Sequence, residues 1–267
     1  MNGHAVVESS QDFRPKYRQL GILREYFTDE YHTPLTVLTA TASIPDILEI
    51  SKNIKMDKDL DLFDHHLFRS NLHYNVIKKI DEHKQLMSLL SEYGTETQGL
   101  IYCNTRQKCE DLCSYLNRQG FKAEFFHSTL SKKEKTRILD GFVNDTIKIV
   151  IATSAFGTGI NVAAVRFVIN LDMPPSFNDC LQQMGRAGRD GLISQCYIFY
   201  SPQDINTLKF ILRQSVKSPD RLRKAYKNVD SIVDFCKNIK DCRSRLLLKH
   251  YGQDLQENCN TCDNCKN

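Results

Sequence analysis

The sequence predicts an α/β fold: a parallel sheet with helices on both faces, followed by a small helical subdomain rich in cysteine. Three observations predict it. From residue 73 to residue 214, short β-branched runs alternate with amphipathic stretches of helical length, the pattern of repeated β-α-β units. Those runs are nearly continuous in apolar character, as strands covered on both faces are. From Ser218 the alternation stops, and the remaining stretch places cysteines at Cys242, Cys259, Cys262 and Cys265.

In chain order, Phe13-Arg14-Pro15 leads to a helix near 17–26, a strand near 35–38 and a helix from about Pro45. One α/β unit and part of another cannot close a core alone. Residues 1–60 therefore read as the C-terminal remnant of a preceding domain, and Asn53 to Asn71, charged and irregular, as a linker. The second domain, 61–215, has expected strands at 73–77, 100–103, 123–126, 147–153, 166–171 and 196–200. Its expected helices are 81–93, 106–119, 132–143, 176–185 and 202–214, with turns at 117–120 and 144–145. Ser176 with Asp179 three residues on makes a capping box. The third domain, 216–267, opens with a helix from Pro219 through Cys236. A short helix from Cys242 to Tyr251 follows, with Asp241 as N-cap and Gly252 as closure.

The 267 residues are 41% hydrophobic, enough for a substantial core, and carry a net charge of +4. The charge is unevenly spread. Residues 209–249 hold twelve Lys/Arg against four Asp, a local balance of +8, so the rest of the chain carries −4. A basic segment beside a near-neutral body suits a polyanion partner, or else a solvated helix face. Met1 to Phe13 has no apolar signal-peptide core, and no apolar run approaches membrane-spanning length. Ten cysteines in such a chain point to thiols and metal rather than disulfides.

Cys259, Cys262 and Cys265 form two overlapping Cys-x-x-Cys turns that can aim three thiolates at one point. Cys242, separated from Cys259 by sixteen residues and on the first turn of a helix whose free amides favour a thiolate, supplies the fourth. Four thiolates make a closed tetrahedral zinc site, structural rather than catalytic. Cys236, six residues before Cys242, is the rival ligand. Cys109 and Cys113 read as half-buried packing residues, and Cys103, Cys180 and Cys196 as core. Phe68, Tyr74, Phe125, Phe126 and Tyr197 read as core rather than base-stacking residues.

The stretch from Ile147 to Gly191 organises the rest. Ser154-Ala155-Phe156-Gly157-Thr158-Gly159 lies at the carboxyl end of a strand, where open parallel sheets place ligands. A helix downstream ends in Gln182-Gln183-Met184-Gly185-Arg186-Ala187-Gly188-Arg189-Asp190-Gly191. Two guanidiniums three residues apart, separated by small residues, suit a phosphate: arginine offers fixed bidentate donors and glycine admits a close backbone. No Gly-x-x-x-x-Gly-Lys-Ser/Thr occurs anywhere, so a nucleotide-hydrolysing site needs completion from outside this chain.

Together these motifs resemble the RecQ family of superfamily 2 DNA helicases over almost the full length. The resemblance rests on His4 with Asp12-Phe13-Arg14-Pro15, Leu38-Thr39-Ala40-Thr41-Ala42, Asn71-Leu72-His73-Tyr74, Gly99 to Thr105, Phe126-His127, Ala152 to Asn161, Val165 to Ile169, Gln182, Gly185 to Gly191 and the four cysteines. It implies a RecA-like second motor lobe that binds ATP and Mg2+ only with a complete first lobe, and an intact protein that steps 3′→5′ along single-stranded DNA and acts at duplex junctions. It implies Arg186 and Arg189 on the γ-phosphate, with Arg189 the finger and Gln182 beside them. Gly157, Thr158, Gly159 and Asn161 would link the phosphate site to DNA, with Asp190 also at the nucleotide. Thr39 and Thr41 would couple lobe movement to DNA, and Asn104, Thr105, His127 and Ser154 would line the DNA path. The nucleus, or the cytoplasm of a bacterium, is the implied location. The family reads Asp-Glu-x-His where this chain has Met1-Asn2-Gly3-His4, and a Trp and a His where Ser9 and Gln11 stand. Thr158 replaces the usual Met, and Cys180-Leu181 the usual tyrosine pair. The expectation is thus a fragment, inactive alone as an ATPase. The second hypothesis is a non-enzymatic zinc-dependent DNA- or protein-binding module.

Overall fold

The computed structural model describes residues 15–23, 36–39, 44–56, 61–63, 67–154, 156 and 162–266. The chain forms two compact units: residues 1–68 with 247–254, and residues 69–246 with 255–267.

In the first unit a 3-10 helix, Pro15–Ile22, and helix α1, Ile44–Asn53, bury Ile50 and Ile54 against Leu20, Val37 and Met56. The expected helix near 17–26 is 3-10 up to Ile22 and α-helical at Leu23, the last of its described residues. The expected strand near 35–38 is a single bridge at Leu38. Asn53 closes α1 instead of opening a linker. Gly21 is required by close approach, since a Cβ there would lie 2.5 Å from the Asn53 carbonyl oxygen.

The second unit is built on a six-stranded parallel sheet of order β1-β6-β5-β2-β4-β3. The strands are β1 Leu72–Lys78, β2 Gly99–Tyr102, β3 Ala123–Phe126, β4 Ile149–Ala152, β5 Phe167–Asn170 and β6 Ser194–Tyr200. All five pairings are parallel, as the alternation of strands and helices dictates. Ile147, Lys148 and Thr153 fall outside β4, and Arg166 and Leu171 outside β5. Successive side chains in a strand point to opposite faces. Ile101, Ile151, Phe167, Ile169 and Phe199 pack with α2, Glu82–Tyr93, and α3, Arg106–Arg118. Their alternates Leu100, Tyr102, Val150 and Val168 are buried on the opposite face. That layer holds α4, Lys132–Val143, and α5, Phe177–Met184, which bury Ile138, Phe142, Cys180 and Met184.

Local caps place the helices. Asp81 accepts from the Lys84 amide, Thr105 from the Lys108 amide, Ser131 from Glu134 in a full capping box, and Ser176 from Asp179 at 3.1 Å. Each stabilises its helix by about 1 kcal/mol. After β6, α6 spans Pro202–Ser215 and α7 spans Pro219–Lys237. The short helices α8, Arg243–His250, and α9, Asp263–Lys266, complete the chain.

Three further expectations need correction. Cys109 and Cys113 are fully buried, not half-buried, because they lie on the α3 stripe that faces the sheet. Asp241 does not cap α8. Its carboxylate accepts from the Asn238 side chain at 2.7 Å, and the residue before the helix is Cys242, whose carbonyl accepts from the Leu246 amide at 3.0 Å. Phe68 is only half-buried.

Candidate functional site

The four cysteines converge. Cys242, Cys259, Cys262 and Cys265 place their sulfurs within 4.8 Å of one another. Cys236 does not join them; it sits on α7 facing the core, where burial pushes its thiol up to about 12. Between Cys259 and Cys262 the chain turns through Asn260 at φ 56, a left-handed conformation that asparagine tolerates better than most residues. The amide of Arg243 donates to Cys262 Sγ and that of Cys259 to Cys242 Sγ, both at 3.3 Å. The free amides at the start of α8 thus serve the cluster through Cys262. Burial raises the Cys259 thiol, but the nearby hydroxyls of Ser244 and Thr261 and the Thr261 and Cys262 amides outweigh it and bring it to about 6.

A tetrahedral zinc with Zn–S bonds of about 2.3 Å sets its sulfurs roughly 3.8 Å apart. Cys259 Sγ and Cys265 Sγ lie 3.9 Å apart, so the residues fit the ion. Zinc bound there would offset half the charge of four crowded thiolates and tie α8 to the terminal turn. Arg243, 2% exposed, braces the same turn: its Nε donates to Asp263 Oδ1 at 2.9 Å and its Nη1 to the Phe235 carbonyl. The Asp263 carboxylate also accepts from the Val76 amide of β1 at 2.9 Å, which fastens the cysteine turn to the sheet.

The double-arginine loop follows α5. The Gly188 amide donates to the Val165 carbonyl at 2.9 Å, just before β5, so the loop backbone is anchored at the amino ends of the strands. Arg186 and Arg189 line a small hollow with Leu100, Phe142, Val162 and Val165. Burial pushes the Tyr102 phenol up to about 12, with Arg186 beside it pulling the other way. The Tyr102 hydroxyl donates to the Phe156 carbonyl at 3.4 Å, which links the arginine to the segment after β4. Arg189 is held below the usual arginine range by desolvation and by the cations Arg186 and Arg69. Gln182 is exposed on the last turn of α5. Asp190 is paired with Arg166, whose Nη2 lies 2.6 and 2.7 Å from its two oxygens, an arrangement that holds the turn. Gly157, Thr158, Gly159, Asn161 and Thr41 lie outside the described residues; Thr39 is exposed in the first unit.

Sequence reasoning overlooked Arg69. Its Nη1 donates to the Gly185 carbonyl at 3.1 Å and its Nη2 to the Gly188 carbonyl. Asn71 Nδ2 donates to the Gly188 and Leu192 carbonyls at 2.8 and 3.0 Å. No local signal marks such pairings, which span more than a hundred residues.

Asn104-Thr105, His127 and Ser154 follow β2, β3 and β4, and the strand order sets these three ends side by side. The Asn104 amide donates to Asp172 Oδ2 at 2.9 Å and its side chain to the Met173 carbonyl at 3.2 Å. Thr105 caps α3. His127 is buried with both ring nitrogens engaged, Nε2 by Glu110 at 2.9 Å and Nδ1 by Thr129 at 3.0 Å. Ser154 is exposed. Behind Asn104 lies a second feature missed in the sequence. Asp172 takes Lys108 Nζ at 2.6 Å and Lys79 Nζ at 3.1 Å, and Lys79 also meets Asp204 at 3.0 Å and Glu82 at 3.1 Å. Burial alone would raise the Asp172 carboxyl, but the two lysines hold it below the ordinary range.

In the basic segment, Arg243 and Arg245 are spent on internal bonds, whereas Arg213, Lys217, Arg223, Lys224 and Lys227 are exposed on α6, α7 and their junction. Among the described residues no helix is long and apolar enough to cross a membrane.

Two family models match the chain: the helicase conserved C-terminal domain over residues 79–191 and the RecQ zinc-binding domain over residues 202–266. Similar proteins include the ATP-dependent DNA helicase RecQ of Pasteurella multocida, 35% identical over 266 residues, and that of Bacillus subtilis, 30% identical over 262. The ATP-dependent helicase SGS1 of Saccharomyces cerevisiae is 32% identical over 270 residues. These alignments cover 98%, 98% and 99% of this chain but only 40%, 43% and 18% of the respective relatives. The chain thus spans about two fifths of the bacterial relatives it matches.

Proposed function

Because this chain belongs to the RecQ family, we propose that it forms the second motor lobe and zinc module of an ATP-dependent DNA helicase that moves 3′→5′, with roles in DNA repair and recombination. The observation that carries the reading is the double-arginine loop. Its backbone is tied to the amino ends of the strands while Arg186 lies beside Tyr102, whose hydroxyl donates to the Phe156 carbonyl after β4. In this reading Arg189 stabilises the charge that develops on the γ-phosphate, Arg186 binds the same group and Gln182 assists. Gly157, Thr158, Gly159 and Asn161 link phosphate to DNA. Asp190 acts indirectly, by holding the turn through Arg166. ATP and Mg2+ bind only with a first lobe that supplies a P-loop and acidic pair, and zinc is structural.

The DNA path runs over the carboxyl ends of β2, β3 and β4. Asn104, Thr105 and Ser154 offer backbone and hydroxyl contacts there, and His127 braces from beneath; the role of Thr39 and Thr41 is to couple lobe movement to DNA. The protein works where DNA is, in a nucleus or a bacterial cytoplasm. A second reading, a zinc-dependent DNA- or protein-binding module without turnover, rests on the four converging cysteines and the exposed basic residues of α6 and α7. The test joins the chain to a first motor lobe with its P-loop. Arg189→Ala should then lower DNA-stimulated turnover at least about 10³-fold, with ATP affinity changed by less than about tenfold. Near-normal turnover in both Arg189→Ala and Arg186→Ala removes the helicase reading of this loop.

A further inference from the structure

We propose that Arg69 and Asn71 are positioning residues for the arginine loop, acting through its backbone without touching nucleotide. This rests on the reading that Arg186 and Arg189 meet a phosphate. The two carbonyls that Arg69 grips belong to Gly185 and Gly188, the residues immediately before Arg186 and Arg189. Gly185 is the C-cap of α5, where helix carbonyls lose their intrahelical partners and an outside donor is needed. The planar guanidinium fork spans both carbonyls at once, which sets the distance across Gly185-Arg186-Ala187-Gly188. An ammonium cannot reproduce that fixed spacing.

Asn71 completes the clamp. It donates to the Gly188 carbonyl alongside Arg69, and its second bond to Leu192 fastens the far end of the loop. Gly188 stands at φ +52, and a Cβ there would lie 2.6 Å from Asn71 Nδ2, so the amide packs directly on the loop backbone. Charge adds a direction. Arg69 and Arg186 both disfavour further cationic charge near Arg189. A fixed Arg69 therefore opposes collapse of Arg189 onto the carbonyls that Arg69 already occupies. A loop with three glycines and an alanine has few side chains of its own to hold its shape, and a finger displaced by about 1 Å forfeits roughly 10²-fold in rate.

The test is hydrogen exchange on the full chain, read at the amides of Gly188 and Gly191, which donate to Val165 and Gly188. Charged hydrogen bonds of this kind are worth about 1.5–3 kcal/mol. Arg69→Ala should therefore speed exchange there by roughly 10–100-fold, and Asn71→Ala, which removes two neutral bonds, by roughly 5–100-fold, with the β2–β4 amides and zinc content unchanged. Arg69→Lys keeps the charge and loses the fork, so it should also speed exchange; it decides the matter if Arg69→Ala fails to fold. Loop exchange at the wild-type rate in Arg69→Lys and Asn71→Ala overturns the clamp. In the protein joined to a first motor lobe, Arg69→Lys should lower kcat by roughly 10–100-fold while KM for ATP moves less than about threefold. Unchanged kcat with a loosened loop overturns the positioning role. If Arg189→Ala leaves turnover intact, the phosphate reading fails, while loop exchange still judges the clamp by itself.

Discussion

Gly188 and Gly191 offer a matched pair on one loop. Both have left-handed backbones, φ +52 and +83, and alanine in that region costs about 1–2 kcal/mol. They differ in space. A Cβ at Gly188 would meet Asn71 Nδ2 at 2.6 Å, the Leu192 carbonyl oxygen at 2.7 Å and Ser194 Oγ at 2.7 Å. Leu192 contributes backbone, and Ser194 is held by its bonds to Val165 and Leu192 at 3.2 and 3.1 Å. None can give way cheaply, so overpacking adds about 1–3 kcal/mol. At Gly191 nothing lies within 4 Å. Gly188→Ala should therefore cost about 2–5 kcal/mol and Gly191→Ala about 1–2. At about 2–4 °C per kcal/mol, Tm should fall by roughly 4–20 °C and 2–8 °C respectively. Thermal scans with urea midpoints at constant m measure both. Adding Asn71→Ala to Gly188→Ala should recover part of the loss, because it vacates the nearest contact. Equal losses at the two glycines, or a strictly additive double mutant, would refute the packing argument.

The remaining expectations are shorter. Purified protein should carry about one equivalent of zinc. By elemental analysis Cys262→Ser should lose it, whereas Cys236→Ser should keep it at a cost of about 1–3 kcal/mol for a buried hydroxyl. Asp172→Asn should destabilise by about 3 kcal/mol, the low end for a broken buried pair, because Glu82 and Asp204 still face the lysines. Since the folded Asp172 carboxyl lies below its unfolded value of about 3.9, its contribution holds above that pH and is lost as pH falls through the folded value. Urea midpoints from pH 7 to pH 3 should thus converge for wild type and Asp172→Asn, and a constant gap would refute this. DNA binding through the exposed basic residues of α6 and α7 should weaken with salt. A slope of log K against log[salt] of roughly −2 to −4 is expected for three or four phosphates, and a flat profile marks a merely solvated face.

The six strands and the helices between them were legible in the sequence because their causes are local. Val168 and Ile169 are β-branched and buried on both faces, and Thr105, Ser131 and Ser176 cap the helices they precede. The cysteine cluster was legible because tetrahedral thiolate ligation demands close spacing of three of its ligands. The fourth, Cys242, was preferred to Cys236 for its place at a helix start with Asp241 as cap; the choice holds, but the reason is packing and not that cap. Cys236 faces the core from α7, while Cys242 sits at the start of α8 beside the turn. The roles of Asn104, Thr105 and His127 were likewise unreadable in detail. A histidine's freedom depends on partners such as Glu110 and Thr129, which the fold brings to it. The clamp of Arg69 and Asn71 on Gly185, Gly188 and Leu192, and the lysines gathered on Asp172, belong to tertiary structure alone. Every residue offers a carbonyl, so no spacing in the sequence marks the one that a distant arginine will take.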